Sequence, residues 1–563
     1  MGELLGGKGA NLSEMISLGI PVPDGFTITT AACRDFLERK SLSEQLESDI
    51  EFAVEKLQSR TGRKFGDLKN PLLVSVRSGA KFSMPGMMET VLNVGISPEV
   101  ARVLSEKTGD AKFAWDSFRR FVEMYGRIVC QVPAQIFEEV RDHYLASHSL
   151  SSALDLSAEQ IEELSYLFIE KVEAHTSRAF PMDAKSQLLR TVEAVFNSWN
   201  SERATLYRRR ERIPATLGTA VNVQMMVFGN MGSDSGTGVC FTRNPSTGES
   251  GDYGDYLECA QGEDVVSGIR NTLTLQDLAS IQPEAYSQLK SIMAKLENHY
   301  RDMCDIEFTI ESGKLWILQT RVGKRTAEAA FRIASTLVDE GLISIDEALL
   351  RVTGEHLMNL MFPQFDLTAT NERIATGIPA SPGAAVGRVV FDSKSAVDES
   401  LKGERVILVR NETSPEDLPG MVASQGILTS RGGKTSHAAV VARGMGRVAI
   451  CGAEEIKVDQ NAGQFTVNGR VVKAGEVISI DGATGAIYLG EMKVVESTVS
   501  QYLQNSVSPQ KFTPLIRSIE RFLTRADIVR TLEVRANADT AADCQLARNF
   551  GAEGVGLVRT EHM

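Results

Sequence analysis

Ser430-Arg431-Gly432-Gly433-Lys434-Thr435-Ser436-His437-Ala438-Ala439-Val440-Val441-Ala442-Arg443-Gly444 is the stretch from which the rest of the chain is read. Just before it, Gly426-Ile427-Leu428-Thr429 has the composition of a buried strand, and the glycine pair turns the chain sharply. Thr435 or Ser436 caps the Ala/Val helix that follows, the helix stops at Gly444, and His437 falls in its first turn. A helix start gathers unpaired N–H groups and the positive end of the dipole. An imidazole there is held neutral near pH 7 with one ring nitrogen free as a nucleophile, and a phosphoryl group carried on it is stabilised. Taken alone, the same residues also describe a solitary histidine in a helix-capping turn.

Outward from this stretch, a compact α/β unit opens at Pro379-Ala380-Ser381-Pro382-Gly383, with strands Arg388 to Phe391, Arg405 to Val409, Val448 to Cys451 and Glu476 to Ile480. Asp481-Gly482-Ala483-Thr484-Gly485 marks its last hairpin turn. Helices Ala327 to Val338 and Ile345 to Val352 precede it, and a helical stretch from about Val494 to Arg530 follows. Beyond that, strand, helix and strand from Leu532 to Met563 begin a βαβ pattern.

The first 325 residues carry a second kind of chemistry. Leu5-Gly6-Gly7-Lys8-Gly9-Ala10-Asn11-Leu12 is a glycine-rich turn that presents Lys8 and enters a helix running from Leu12 to Leu18. Leu72 to Val76 is a short buried strand with Arg77 at its end, and a Ser/Gly/Pro/Met loop around Gly86 follows. Such a loop suits a lid that offers backbone N–H groups to phosphates beside a forked cation. Asp305 to Ile310 and Leu315 to Arg321 read as a hairpin. If Ser312-Gly313-Lys314 forms its loop, Glu307 lies opposite Gln319 and Asp305 opposite Arg321, placing donors for Mg²⁺ beside a phosphate-binding arginine. An exposed hairpin with a surface salt bridge would account for Asp305 and Arg321, but not for the whole polar face. Amphipathic helices fill roughly residues 100 to 210, and strands Thr219 to Val227 and Gly236 to Pro245 suit the floor of a nucleotide pocket.

The chain has 563 residues, 42% hydrophobic and 24% charged, in keeping with a soluble protein of several domains. A net charge of −13 argues against a general nucleic-acid binder. Seven cysteines without CxxC spacing indicate a reducing compartment, the cytoplasm or the interior of an organelle, and no structural zinc. No apolar stretch approaches the ~20 residues of a membrane span.

GGKTSHAAVVARGMG resembles the phosphohistidine motif of the pyruvate, phosphate dikinase family of phosphoenolpyruvate-utilising enzymes. GGKGANLSEM, VSVRSGAKFSMPGMMET, GTAVNVQMMVFGN, GTGVCFTRNPSTGE, AQGEDVVSG and DIEFTI…LWILQTR resemble its nucleotide domain. The resemblance implies an ATP-grasp nucleotide-binding domain over 1–325, a helical linker over 326–375 and a swivelling phosphohistidine domain over 376–492. A second linker over 493–530 and the first βα units of an incomplete (β/α)₈ barrel over 531–563 complete the α/β and α+β architecture. It implies that Lys8, Arg77 and Arg321 contact ATP phosphates under a lid at Gly86. Glu307 and Gln319 are implied to hold Mg²⁺ near Asp305, with Arg120 and Thr242 as further ATP contacts. His437 is implied to be phosphorylated in turnover, and Arg559 to bind pyruvate or phosphoenolpyruvate. Thr435 is implied as a target of a regulatory kinase/phosphatase, and Lys434 stands where the family commonly has Met.

The activity so implied is a phosphotransfer with paired acceptors, in which ATP, phosphate and pyruvate give AMP, pyrophosphate and phosphoenolpyruvate. A closed barrel takes roughly 250 residues and this chain ends roughly 30 into one, so the nucleotide half-reaction alone is expected of it. The family's dimer contacts lie in the barrel, and a monomer is the expectation here. Phosphoenolpyruvate synthase, with water as the phosphate acceptor, is the rival enzyme; Ser436, where that family usually has Cys, and the MPGMMET loop weigh against it. A catalytically silent ATP-binding or regulatory fragment is the rival of another class.

Overall fold

The structure, a computed structural model, describes residues 1–82, 84, 88–150, 152–210, 213–267, 272–366, 372–432, 436–445, 447–504 and 513–559. The side chains of residues 154, 202, 203, 206, 210, 263, 266, 267, 415, 437, 440, 443 and 444 are left aside as well. The chain divides into two compact units: Met1–Pro245 with Ser250–Lys324, and Ser246–Glu249 with Arg325–Met563.

The first unit is built on two antiparallel sheets. One has the strand order Gly25–Ile28, Ala220–Met225, Val74–Gly79, Thr90–Val94. The other runs Lys314–Val322, Cys304–Glu311, Gly236–Arg243, Ser250–Glu258, Leu273–Thr274. Helices from Pro98–Thr108 to Glu202–Arg210 occupy the insert expected at roughly 100 to 210. Their starts are set by side chains that satisfy orphan N–H groups: Asp110 accepts from Phe113 N, Ser157 and Gln160 form a capping box, and Asp183 accepts from Ser186 N. Phe113, Phe118, Phe121, Val122 and Tyr125, at helical spacing, bury one face of Ala111–Ile128 in the core that the helices share with the first sheet.

Two local readings change. The glycine-rich turn is part of a helix, Gly2–Ser17, which begins ten residues before the expected Leu12 and is broken only at Gly6 (φ 67°, ψ 174°). That conformation is close to glycine-only. It seats Gly7 N on Ala80 O at 2.9 Å, and a Cβ at Gly6 would stand 1.5 Å from Gly79 O. Arg77 lies inside the strand Val74–Gly79 and not at its end, because the ladder with Ala220–Met225 continues to Gly79↔Ala220.

In the second unit, an eight-stranded sheet holds four neighbouring parallel strands, Ala384–Val390, Val406–Arg410, Gly426–Thr429 and Val448–Cys451. The helix His437–Gly444 is the crossover between the last two. Its small residues Ala438, Ala439 and Ala442 are buried against Ile427, Ala449 and Cys451, which lets it lie close to the sheet. Ser436 Oγ accepts from Ala439 N at 3.4 Å, so of the two candidate caps Ser436 fills the role; Thr435 lies outside the described residues. Strands Arg535–Ala536 and Gly554–Val555 pair in parallel across the helix Ala541–Asn549, a βαβ unit.

The two helical linker segments are not separate spacers. Gln364–Phe365 pairs antiparallel with Val494–Val495, Phe331 meets Phe522 at 6.1 Å, and Arg521 and Arg525 form ion pairs with Asp339 and Asp346. They form one helical cluster from which the eight-stranded sheet is entered and left at a single place.

Gly6→Ala is expected to lower stability by about 3 kcal/mol or more, since both the backbone and Gly79 must move. Gly2→Ala, with nothing within 4 Å of its Cβ, serves as the control. Urea midpoints that shift equally for the two variants would contradict the close approach.

Candidate functional site

The hairpin of the first unit brings Glu307 opposite Gln319 and Asp305 opposite Arg321, the expected pairs, by an unexpected route. Its loop has two residues, Ser312 and Gly313, both at positive φ (48° and 75°), with Glu311 pairing with Lys314. Such a turn matches strand twist. A bulge between Glu307 and Phe308 then admits the extra residue Leu318 and restores the pairing.

Two cavities adjoin at this point and share Arg77, Thr90 and Glu307. The first, 260 Å³, has walls of Leu92, Met226, Val227, Val239 and Leu318 with Gln261 as a polar group. The second, 470 Å³, is lined by Lys8, Asn11, Arg77, Gln319 and Arg321. The bulge explains the division, because Leu318 lines the apolar cavity while Gln319 lines the polar one.

At the shared boundary Arg77 Nη2 donates to Glu307 Oε2 at 3.0 Å, and Gln319 Nε2 donates to Glu307 Oε1 at 3.2 Å. Arg321 Nε donates to Asp305 Oδ2 at 2.8 Å. Lys8 makes no hydrogen bond or ion pair among the described residues. Asn11, one turn on along the same helix face, donates to Thr320 O at 2.8 Å and fastens that helix to the hairpin. The glycine turn drew attention to Lys8; the lysine–asparagine spacing of GGKGAN was the further signal available for Asn11.

Burial first, and then the charges of Arg77 and Arg321, lower Lys8 against the opposing pull of Glu307, to about 7 in all. Burial pushes Glu307 up, but Arg77 and Lys8 together hold it below the usual carboxylate range. Burial raises Asp305 despite its bond to Arg321. The pocket is therefore cationic in its fixed guanidiniums, with a lysine poised to take up a proton when an anion arrives.

This donor set fits a hard divalent cation shared with a phosphate ligand. Glu307 is held ionised, the Gln319 carbonyl oxygen accepts no hydrogen bond among the described residues, and Asp305 Oδ1 is buried without a partner. Among the described residues no three or more His, Cys, Asp and Glu side chains gather as an all-protein cage. Mg²⁺ needs none, since it is commonly held by one or two carboxylates plus phosphate oxygens.

Three residues expected at the nucleotide site line neither cavity: Arg120, Thr242 and Asp305, the last meeting the polar cavity only through Arg321. Arg120 is clamped between Asp116 (2.7 Å) and Asp264 (3.0 Å), and lines neither cavity. Its partner Asp264 is carried by the short helix Gly262–Ser267, whose Gly262 and Val265 line the apolar cavity. Thr242 is buried, donating to Glu297 at 2.8 Å and accepting from Cys304 N at 3.0 Å, so its hydroxyl is engaged away from the site. Gly86 and Thr435 lie outside the described residues.

In the second unit, His437 is the first residue of its helix, just past the carboxyl end of Gly426–Thr429. Ligands of open parallel sheets bind at those ends. The approach is braced from the neighbouring strand: Ser430 Oγ donates to Asn411 Oδ1 at 3.0 Å and Arg431 N to Asn411 O at 2.9 Å. Arg559 is exposed and forms an ion pair with Asp539 at 3.0 Å.

Because the folded Lys8 titrates near 7 and an unfolded lysine near 10.5, the unfolded state binds more protons between these values. Stability therefore rises with pH across that window through this group, and its penalty is full below pH 7. Lys8→Met is expected to stabilise the free protein most at pH 7, with the gain shrinking by about 1 kcal/mol per pH unit toward pH 9. Urea unfolding of both proteins across this range checks it; a pH-independent difference would contradict the shift.

Three family models match the chain. That of the pyruvate phosphate dikinase AMP/ATP-binding domain matches residues 2–61, 39–275 and 270–341; that of the PEP-utilising enzyme mobile domain matches 402–485; and that of the PEP-utilising enzyme PEP-binding domain matches 516–563. Among curated proteins, the pyruvate, phosphate dikinase of Clostridium symbiosum is 50% identical over 568 residues, covering 100% of this chain and 63% of that protein. That of Rhizobium meliloti (strain 1021) is 48% identical over 574 residues, covering 100% and 62%. The chloroplastic enzyme of Flaveria trinervia is 47% identical over 566 residues, covering 100% and 58%. This chain thus spans about three-fifths of the length of the relatives it matches, and it belongs to the pyruvate, phosphate dikinase family of PEP-utilising enzymes.

Proposed function

We propose that this chain carries the nucleotide-binding and phosphohistidine-bearing parts of a pyruvate, phosphate dikinase, which converts ATP, phosphate and pyruvate to AMP, pyrophosphate and phosphoenolpyruvate. The observation that carries the reading is the pair of adjoining cavities that share Arg77, Thr90 and Glu307, one apolar and one lined by Lys8, Arg77 and Arg321. Their chemistry divides as a nucleotide does, an apolar base and an anionic triphosphate.

The finer architecture belongs to the same proposal: an ATP-grasp domain over 1–325, linkers over 326–375 and 493–530 flanking a swivelling domain over 376–492, and the start of a (β/α)₈ barrel from 531. The two antiparallel sheets around the cavities support the first, and the parallel pairing of Arg535–Ala536 with Gly554–Val555 supports the last.

In this mechanism the base enters the apolar cavity against Leu92, Met226 and Leu318, and the phosphates lie toward Lys8, Arg77 and Arg321. Glu307 and Gln319 would hold Mg²⁺, which when bound neutralises charge on the phosphate oxygens. Asp305 orients Arg321, and Lys8 takes up a proton as phosphate charge arrives beside it. A neutral ring nitrogen of His437 attacks the β-phosphorus, the bond to the α-phosphate oxygen breaks, and AMP leaves. Inorganic phosphate attacks the terminal phosphorus of the pyrophosphoryl group, pyrophosphate departs, and a single phosphoryl remains on His437. That phosphoryl passes to the enolate oxygen of pyruvate, whose carboxylate Arg559 would bind. Regulation by a kinase/phosphatase at Thr435 is part of the same reading.

The test uses the chain with Mg²⁺ and ATP labelled separately in the β and γ positions, with and without inorganic phosphate. The β-label is expected to stay on the protein, acid-labile and alkali-stable, while phosphate carries the γ-label away as pyrophosphate. His437→Ala should abolish all labelling and leave ATP binding intact. Release of the γ-label as phosphate without added phosphate would instead indicate water as the acceptor. ATP binding without any label would overturn the catalytic reading of this chain.

A further inference from the structure

Gln261 lines the apolar cavity of the first unit and is only 4% exposed, and its side-chain amide is satisfied by half. Its Nε2 donates to Asn230 Oδ1 at 3.4 Å, whereas its Oε1 is buried without a partner among the described residues. A buried carbonyl oxygen with no donor is costly unless a ligand supplies one. Neighbouring polar side chains of the same walls are engaged. Gln224 Nε2 donates to Pro23 O at 3.2 Å, and the Thr237 hydroxyl donates to Phe308 O at 3.0 Å and lies 3.2 Å from that of Thr309. Of the buried side-chain atoms on residues lining this cavity, Gln261 Oε1 alone lacks a partner among the described residues.

The backbone that carries this amide is fixed from two sides. Gln261 N donates to Asp264 Oδ2 at 2.9 Å and Asp264 N donates to Gln261 O at 2.9 Å, closing the turn at the start of Gly262–Ser267. Arg120 grips both carboxylate oxygens of Asp264, at 3.0 and 3.3 Å, and is itself held by Asp116. On the other side Ala260 N donates to Gly229 O at 3.0 Å, and a Cβ on Gly229 would stand 2.4 Å from Ala260 O. The segments that carry Gln261 and Asn230 therefore run in backbone contact. Asn230 decides which end of the amide it holds: with Nε2 on its carbonyl oxygen, the Gln261 oxygen is the end left for a ligand.

Adenine presents an amino group at its 6-position, a donor, where guanine and hypoxanthine present a carbonyl oxygen, an acceptor. Resting on the nucleotide reading above, we propose that Gln261 is the residue that selects adenine in this cavity. Its Oε1 accepts from the 6-amino group, and a 6-oxo purine is rejected because two acceptors would then face each other away from water. Asn230 is the positioning residue that keeps the amide from turning its own NH₂ toward such an oxygen.

The test compares the affinities of ATP and ITP, which differ in the base at the 6-position and the adjoining ring nitrogen, by calorimetric titration in the presence of Mg²⁺. The unaltered chain is expected to prefer ATP by about tenfold or more. Gln261→Met keeps the length and the apolar wall, and should weaken ATP about tenfold while leaving ITP nearly unchanged, so that the preference is lost. Asn230→Ala frees the amide to turn and should tighten ITP, a gain that damage to the fold would not give; Asn230→Asp, which restores an acceptor, should keep the preference for ATP. Absence of ATP binding to the unaltered chain would overturn the nucleotide reading and this assignment with it. ATP binding with a preference that Gln261→Met leaves unchanged would overturn the role of Gln261 alone, and no gain for ITP in Asn230→Ala would overturn that of Asn230.

Discussion

The ion pair between Arg77 and Glu307 is the constraint on which the candidate site depends. One partner comes from each sheet of the first unit, and the pair stands where the apolar and polar cavities meet. Their side chains are 16% and 29% exposed, so removing either would leave a largely desolvated charge uncompensated, at a cost of about 3–5 kcal/mol for a buried pair and less at this exposure. The pair does not neutralise the site. Lys8, Arg77 and Arg321 face Asp305 and Glu307, leaving a surplus cation, and Lys8 is the only one of the three that can shed its charge near neutral pH. An arriving phosphate restores that charge. The free site thus holds an electrostatic tension that an anionic ligand relieves, which favours the bound state over the free one.

The same logic separates residues that were legible in sequence from those that were not. Alternation along the two strands was enough to put Asp305, Glu307, Gln319 and Arg321 on one face, because the side-chain period of a strand is fixed, whereas their pairing was read from a three-residue loop that the chain does not form. The route was hidden. Whether a hairpin turns on two residues or three depends on Ser312 accepting a positive φ, and the bulge at Leu318 then restores the pairing that the shorter loop would shift. Arg120 and Thr242 show the opposite limit. Each has the right chemistry for a nucleotide, but each is held by an acid far off in sequence, Asp264 at 144 residues and Glu297 at 55. Long-range partners leave no local trace. The apolar cavity was half visible: the strand from Thr219 suggested a pocket floor, whereas Leu92 and Leu318 join it only through the packing of two sheets.

The second unit follows from one local device repeated at larger scale. A helix start, a Ser436 cap and a run of alanines put His437 at the carboxyl end of parallel strands, all of which a single stretch specifies. The mechanical setting required contacts over more than a hundred residues. Gln364–Phe365 and Val494–Val495 pair across the intervening domain, so the segments that lead into it and out of it run side by side. A body tethered at one paired point can reorient by dihedral changes in a few residues without breaking any ladder of its own eight-stranded sheet. Two tethers at opposite ends would instead strain the sheet with every change of angle. The transfer proposed above calls for a carrier that keeps its rigid sheet and the braced turn before His437, and the paired segments, packed through Phe365 and Met492 on Val386 of that sheet, are where its entry and exit come together.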